Sequence, residues 1–392
     1  MTTLTEFQYD LTTENDLKAA SHGLLRIQHI YDLNIRDLTN GYLNGKQYNS
    51  HLSYADLYVV ALYLYRENLY AEAELWLKFC LENYNNRAYE LEMFGYGKAE
   101  ILNLYAKILR NQNKAEDAFI AMNEAIDLKP MDGRFLNTEN TLRKLLRNQN
   151  FSHHQHSKDD DSSAYILACH GVFSRKPSKL HCLYNTITSP FLRLAPLKME
   201  LLNLDPYMVL YHDVLTDSEI IELKELAVEV GMVPSRTYNS TGGVPQYGDS
   251  NHRTSKVAWL KDDVNDITAR LTERLADMTG LNVINSEPFQ CANYGLGGEF
   301  KLHSDVIQHP NVLKKLGNRI VTALFYMNDV EQGGATVFPA LGKSIFPNKG
   351  KALVWYNLDN EMKHDERAEH AGCPVLVGSK WGRSMDSIRD FI

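Results

Sequence analysis

The chain has 392 residues, long enough for two or three domains, each with a core of its own. Hydrophobic residues make up 44% and charged residues 23%, ordinary for a globular protein, and the formal net charge of −8 argues against a nucleic-acid partner. No apolar run reaches membrane-spanning length, and the opening "MTTLTEFQYDLTTENDLKAA" carries acidic groups and no apolar block, so no secretory signal is expected in it.

From about residue 15 to 148 the pattern is helical. "NDLKAASHGLLRIQHIYDL" offers Asn15 or Asp16 as N-cap, followed by Leu17, Leu24, Leu25, Ile27 and Ile30 at helical intervals. "YADLYVVALYLYRENLYAEAELWLKFCLENY" reads as two helices broken near Glu67–Asn68. "KAEILNLYAKILRNQNKAEDAFIAMNEAIDLKP" repeats the arrangement and ends at Pro130. Small residues in each second helix (Ala71 and Ala73, then Ala115 and Ala118) suggest a helix-hairpin repeat of tetratricopeptide type, although the copies sit about 44 residues apart rather than 34. Stacked hairpins of this kind leave a concave groove for an extended peptide. Tyr58, Tyr63, Tyr65 and Tyr70 offer rings to such a peptide, but aromatics at helical spacing are more often core.

"NQNFSHHQHSKDDDSS" (148–163) reads as a flexible linker. Its His153, His154 and His156 fit a solvated loop better than a metal site. Asn150 and Asn239 stand in glycosylation sequons, which matter only in a secreted chain.

After residue 205 the character changes. "PYMVLYHDVL" is strand-like, "TDSEIIELKELAVEVG" is a helix with Thr216 as N-cap and Glu219 at the capping-box position, and "DDVNDITARLTERLADMTG" is a second amphipathic helix. From Glu287 on, short alternating segments separated by "GLGG", "EQGG" and "PNKGK" dominate. Two helices followed by such strands predict a β-sandwich or jelly roll backed by helices, and the whole chain is expected to be α+β. The five cysteines (Cys80, Cys169, Cys182, Cys291 and Cys373) form no CxxC pair, and only Cys169 and Cys182 are close enough in sequence to close a small loop.

The chemistry concentrates in "GEFKLHSDVIQH". On a strand, His303 and Asp305 project to the same face. His370, in "RAEHAGCPVLVGSKW", supplies a third ligand candidate. Two histidines and one carboxylate leave coordination positions open, the donor set of non-haem Fe(II) oxygenases. Lys380, ten residues after His370, needs an anion if it is buried. The distal carboxylate of 2-oxoglutarate would supply one. A hydrolytic zinc site with the same ligands and a purely structural role are the competing readings.

At these residues a resemblance appears. "CANYGLGGEFKLHSD", "NRIVTALFYMNDVEQGGATVFPALGKSIFPNKGKALVWYNL" and "HAGCPVLVGSKW" are similar to the catalytic domain of the collagen prolyl 4-hydroxylase α-subunit family. "LKAASHGLLRIQHIYDLN" resembles the end of that family's N-terminal domain, and "LSYADLYVVALYLYRENLYAEAELWL" its peptide-substrate-binding domain. The resemblance implies a remnant N-terminal helical domain at 1–45, a peptide-binding domain at 46–148, a linker at 149–204 and a dioxygenase domain with a double-stranded β-helix at 205–392. It implies His303, Asp305 and His370 as Fe(II) ligands, Lys380 as partner of the 2-oxoglutarate C5 carboxylate, and Tyr294 and Thr336 as further lining of the cosubstrate pocket. The implied reaction hydroxylates peptidyl proline at C4 while 2-oxoglutarate gives succinate and CO2, with ascorbate keeping iron reduced. Protein disulfide isomerase, an α2β2 assembly and the endoplasmic reticulum lumen are implied as partner, quaternary form and location.

Three departures qualify the resemblance. Asp386 stands where the family has a second tryptophan, and Cys373 lacks its usual C-terminal partner, whereas Cys169 and Cys182 match the family's other disulfide. In the peptide groove Tyr65 and Arg134 match, but Leu104, Lys107 and Thr141 replace tyrosines, so an altered peptide preference is expected. The signal peptide and most of the N-terminal dimerisation region have no counterpart in the sequence. A catalytically weak paralogue that binds proline-rich peptides is the alternative function.

Overall fold

The polar pair Glu67–Asn68 separates two antiparallel helices, and Asn113 occupies the corresponding turn of the next hairpin; both asparagines have positive φ, a conformation asparagine tolerates better than most residues. The computed structural model describes residues 14–84, 92–93, 95–148, 162–172, 181–239, 246–249, 252–261, 265–283, 286–307 and 310–389. The chain divides into two units, Met1–Lys158 and Asp159–Ile392. The tract with His153, His154 and His156, and Asn150 with it, lies outside the described residues.

The first unit is helical: α1 (Glu14–Ile30), α2 (Ile35–Thr39), a small hairpin of β1 (Tyr42–Leu43) and β2 (Lys46–Gln47), then α3 (Tyr54–Arg66), α4 (Tyr70–Glu82), α5 (Lys98–Asn111), α6 (Ala115–Leu128) and α7 (Gly133–Asn148). Ser53 starts α3 with a reciprocal capping box: its Oγ accepts from Asp56 N at 3.1 Å, and its own N–H donates to Asp56 Oδ2 at 2.7 Å. Ala73 and Ala118 are fully buried, as the small-residue positions of the two hairpins require. Ala99, Leu102, Ala106 and Leu109 of α5 pack with Ala118, Met122 and Ala125 of α6 and with Phe135 and Leu142 of α7. Trp76 donates to Gln28 Oε1 at 3.1 Å, tying α4 to α1.

The second unit is rich in sheet. It comprises α8 (Ser162–Cys169), β3 (Cys182–Asn185), β4 (Leu197–Leu204), β5 (Tyr207–His212), α9 (Asp217–Val230), β6 (Val233–Pro234), β7 (Arg236–Asn239), β8 (Gln246–Asp249), β9 (Lys256–Leu260), α10 (Asp266–Thr279), β10 (Phe289–Tyr294) and β11 (Phe300–His303). It continues with α11 (Pro310–Leu316), β12 (Asn318–Tyr326), β13 (Gln332–Gly333), β14 (Thr336–Phe338), β15 (Lys343–Ile345), β16 (Ala352–Tyr356), β17 (His370–Gly372), β18 (Val375–Val377) and β19 (Lys380–Arg389). A nine-stranded sheet runs β3-β4-β5-β16-β12-β19-β10-β9-β6, and a four-stranded sheet runs β11-β17-β14-β15. Helices α9 and α10 back the larger sheet through Leu223, Leu226, Leu271, Leu275 and Met278. The Thr216–Glu219 capping box opens α9 and Gly280 closes α10 in a left-handed conformation.

Two expectations are corrected. β3 and β4 pair within the nine-stranded sheet, so the sheet unit begins well before residue 205 and 149–204 is not all linker. Cys169 bonds Cys373, not Cys182. Proximity in sequence misled: Cys169 ends α8, which packs on β14 and β15, whereas Cys182 is an exposed thiol on β3 at the far sheet's edge. The pairing gives Cys373 a partner in α8. Asp386 continues β19 opposite Thr322 in the backbone register.

Candidate metal and cosubstrate site

Alternation along three neighbouring strands builds one wall of the site. Val321, Ala323 and Phe325 of β12, Phe289 and Cys291 of β10, and Trp381 of β19 face the helix-backed core. Their alternates, Thr322 and Leu324, Gln290, Ala292 and Tyr294, and Lys380, Gly382 and Ser384, line a cavity of about 830 Å³. Phe300, His303, Thr336, His370 and Gly372 face it from the four-stranded sheet.

His303 and His370 come together because β11 and β17 pair with these two residues directly opposite, which sets the ring centroids 4.3 Å apart. Asp305 does not share a strand face with His303, as the spacing alone suggested. β11 ends at His303, and the Ser304 side chain takes the chain out of the ladder, its hydroxyl bonding His364 Nε2 at 2.9 Å and accepting from Val306 N at 3.3 Å. The turn nevertheless delivers the carboxylate between the imidazoles: Oδ1 lies 3.6 Å from His303 Nε2 and Oδ2 lies 3.5 Å from His370 Nε2.

One ligand atom from each of the three residues falls within 4.8 Å of the others. The donor set fits a divalent ion. His303 Nδ1 is 2.7 Å from the Lys301 carbonyl oxygen and His370 Nδ1 is 3.1 Å from that of Ala368; a carbonyl only accepts, so the proton sits on Nδ1 and each Nε2 keeps its lone pair for a metal. Phe300 stacks on His303 at 3.5 Å, and Phe338 and Trp355 flank His370 at 5.4 and 4.7 Å, which fixes both rings. Burial above all, then His370, pushes His303 down to about 3, which favours the unprotonated ring. Burial opposes ionisation of Asp305, but His370, His303 and the Thr322 hydroxyl outweigh it and hold the carboxyl below its ordinary range.

The cation expected in the cavity is there. Lys380 is buried, and its Nζ donates to Thr336 Oγ1 at 3.2 Å. Tyr326 OH also donates to that oxygen, at 2.9 Å, so Thr336 accepts twice and keeps its own proton to give. Tyr294 pairs with Lys380 across β10 and β19, and its hydroxyl accepts from Arg253 Nε at 3.1 Å. Burial, with Arg253 second, brings the Lys380 ammonium down to about 7. Gly334 keeps the lysine's stem in place: its φ is +69°, and a Cβ there would lie 3.3 Å from Val330 and 3.6 Å from Lys380 Cδ.

Several residues that support the site were not singled out in the sequence. Thr322 donates to Asp305 Oδ2 at 2.7 Å; Arg319 grips Glu287 with two bonds of 2.9 and 2.8 Å and reaches the Asp305 carbonyl at 3.2 Å; Tyr326 and Arg253 hold Thr336 and Tyr294. The signal for Thr322 was available: it is the polar alternate in the otherwise apolar "IVTALFY".

Tyr65 and Arg134 lie in the helical unit. Tyr65 is half-buried against Tyr70, with centroids 5.9 Å apart. Arg134 is exposed, bonded to Asp132 and 3.7 Å from Glu100. Tyr58 and Tyr63 are buried.

With this geometry in hand, comparison with known proteins is decisive. A 388-residue alignment to prolyl 4-hydroxylase subunit alpha-2 of Caenorhabditis elegans is 36% identical and covers 94% of this chain and 70% of that protein. The chain belongs to the prolyl 4-hydroxylase alpha-subunit family. Subunit alpha-1 of Homo sapiens is 32% identical over 398 residues, covering 94% of this chain and 73% of that one. Two family profiles match: the prolyl 4-hydroxylase alpha-subunit N-terminal region over residues 2–45, and the 2OG-Fe(II) oxygenase superfamily over residues 289–384. The second span contains Tyr294, His303, Asp305, Thr336, His370 and Lys380. Among solved structures, a viral collagen prolyl hydroxylase from Paramecium Bursaria Chlorella virus-1, in complex with 2OG, aligns at 23% identity and a TM-score of 0.37, over 46% of this chain and 94% of that one.

Proposed function

We propose that the chain is a prolyl 4-hydroxylase α subunit, hydroxylating peptidyl proline at C4 with O2 while 2-oxoglutarate is decarboxylated to succinate. The observation that carries this reading is the cluster of His303, Asp305 and His370 facing the same cavity as the buried ammonium of Lys380. A zinc hydrolase would leave that lysine without a counter-charge. Fe(II) and 2-oxoglutarate supply the oxidising chemistry when bound, and the residues of the chain position and shield it.

The two Nε2 atoms and the Asp305 carboxylate would hold the ion. Lys380 and the hydroxyls of Thr336 and Tyr294 receive the C5 carboxylate, satisfying its lone pairs with charge-assisted bonds. Phe300, Phe338 and Trp355 exclude water around the imidazoles. In this reading the sheet unit is a jelly roll, the helical unit a tetratricopeptide-like peptide site using Tyr65 and Arg134, and ascorbate returns oxidised iron to Fe(II). Protein disulfide isomerase as β subunit, a collagen-like substrate and an endoplasmic reticulum location belong to the same reading.

The test is succinate release coupled to 4-hydroxyproline formation in a proline-rich peptide. Both products are expected, and both are expected to vanish in His303→Ala; turnover undiminished in that variant would sink the assignment. Asp386 favours a second reading, a weakly active paralogue that binds peptide. That reading predicts peptide binding without the visible charge-transfer band that Fe(II) and 2-oxoglutarate give anaerobically.

A further inference from the structure

One face of α5 carries Glu100, Asn103, Lys107 and Arg110, three or four residues apart and therefore in line. Helix α7 lies beside this strip: Thr138 Oγ1 donates to Asn103 Oδ1 at 3.2 Å, and Arg134 sits 3.7 Å from Glu100. A tyrosine pair marks each end. Tyr58 and Tyr96 meet at 4.7 Å within electrostatic reach of Glu100, where α5 begins. Tyr65 and Tyr70 meet at 5.9 Å where α5 ends, the Tyr70 carbonyl accepting from Gln112 Nε2 at 3.0 Å. Tyr58 and Tyr65 are two helical turns apart, about 10.5 Å. One three-residue turn of a polyproline helix is about 9.3 Å.

The carboxylates near the strip are already taken. Glu100 bonds Lys129 at 2.6 Å and accepts from Gly97 N at 2.9 Å, while Asp132 holds Arg134. Lys107 and Arg110 form no ion pair among the described residues; Arg110 bonds the Asn111 amide oxygen at 3.2 Å. Lys107 is half-buried, and its ammonium is held below the ordinary lysine value, first by burial and then by Arg110 and Arg134. A half-buried cation facing two like charges is relieved by an anion from outside.

Resting on the reading of the helical unit as a peptide site, we propose that this strip selects an extended proline-containing segment bearing an acidic side chain. Tyr96, packed on the buried Tyr58, and the Tyr65–Tyr70 pair each take a proline, and Lys107 with Arg110 takes the carboxylate between them. At Lys107, where the resemblance leads one to expect a ring, this chain places a charge.

Calorimetric titration of the whole chain tests the assignment with two peptides of equal length: Pro-Pro-Gly repeats, and the same repeats with one Pro-Glu-Gly triplet. The acidic peptide should bind about tenfold tighter at low ionic strength, with the gap narrowing as salt is added. Lys107→Gln should level the two peptides, and Lys107→Glu should favour a Pro-Lys-Gly counterpart. Circular dichroism checks the helices, and Arg110→Gln carries the same comparison if the Lys107 variants do not fold. Equal binding by the unaltered chain, or a preference that survives these variants, overturns the charge selection while leaving the groove. A chain that releases succinate yet binds none of the peptides overturns the groove itself.

Discussion

Thr322 donates its hydroxyl to Asp305 Oδ2 at 2.7 Å. Asn357 Nδ2 in turn donates to the Thr322 oxygen at 2.9 Å, and both residues are buried. This chain of bonds starts on β12 and the segment after β16, and it fixes a carboxylate that stands on a turn rather than a strand. Thr322 therefore secures the carboxylate that the turn after β11 delivers.

Replacing that hydroxyl should loosen the ligand without emptying the core. Thr322→Val is expected to weaken Fe(II) affinity by about 10–100-fold, the usual effect of losing an outer partner of a metal ligand. Thr322→Ser should restore most of it. Titration of the anaerobic Fe(II)–2-oxoglutarate band reads the affinity directly; an unchanged midpoint in Thr322→Val would refute the positioning role.

Lys380 gives a pH signature. An ordinary lysine titrates near 10.5 and this one near 7 without an anion. Between those values the unfolded chain holds a proton that the folded chain lacks, so the anion-free protein gains stability as pH rises through that window. In the proposed pairing the 2-oxoglutarate carboxylate restores the charge, so binding to the Mn(II)-loaded protein should take up close to one proton at pH 8.5 and almost none at pH 6. Calorimetry in buffers of different ionisation enthalpy measures this, and equal uptake at both pH values would remove the lysine from cosubstrate binding.

Truncating the same side chain separates binding from chemistry. Lys380→Ala should raise the 2-oxoglutarate KM about 30- to 1,000-fold, equivalent to about 2–4 kcal/mol of lost charge pairing, with a smaller effect on kcat. Steady-state succinate release at varied 2-oxoglutarate decides it; a kcat collapse at unchanged KM would assign the lysine another task.

Local patterns made much of this legible. The Glu67–Asn68 break and the Thr216–Glu219 box are legible from a few neighbouring residues each, and they are where local chemistry places them. His303, Asp305, His370 and Lys380 were recognisable by residue type and order, yet the reason His303 meets His370 is a strand register that spacing cannot reveal. Asp305 was misplaced onto the strand because the bonds of the Ser304 side chain compete with the ladder. Arg253 and Tyr326 are distant in sequence from the ligands and enter only through the packing of two sheets.

The disulfide is where sequence proximity failed most clearly, and it makes the last prediction. Cys169 and Cys373 are separated by 204 residues, so the bond closes most of the sheet unit into one loop and constrains its unfolded chain strongly. It also anchors the segment three residues after His370 to the end of α8. Cys169→Ser should therefore lower the stability of this unit by about 2–5 kcal/mol, whereas Cys182→Ser, which removes an exposed thiol, should stay within about 0.5 kcal/mol of the parent. Peptide mapping under non-reducing conditions should recover the Cys169–Cys373 pair, and urea denaturation of both variants should rank them in this order. Recovery of a Cys169–Cys182 pair, or equal losses in the two variants, would restore the small loop that the sequence suggested.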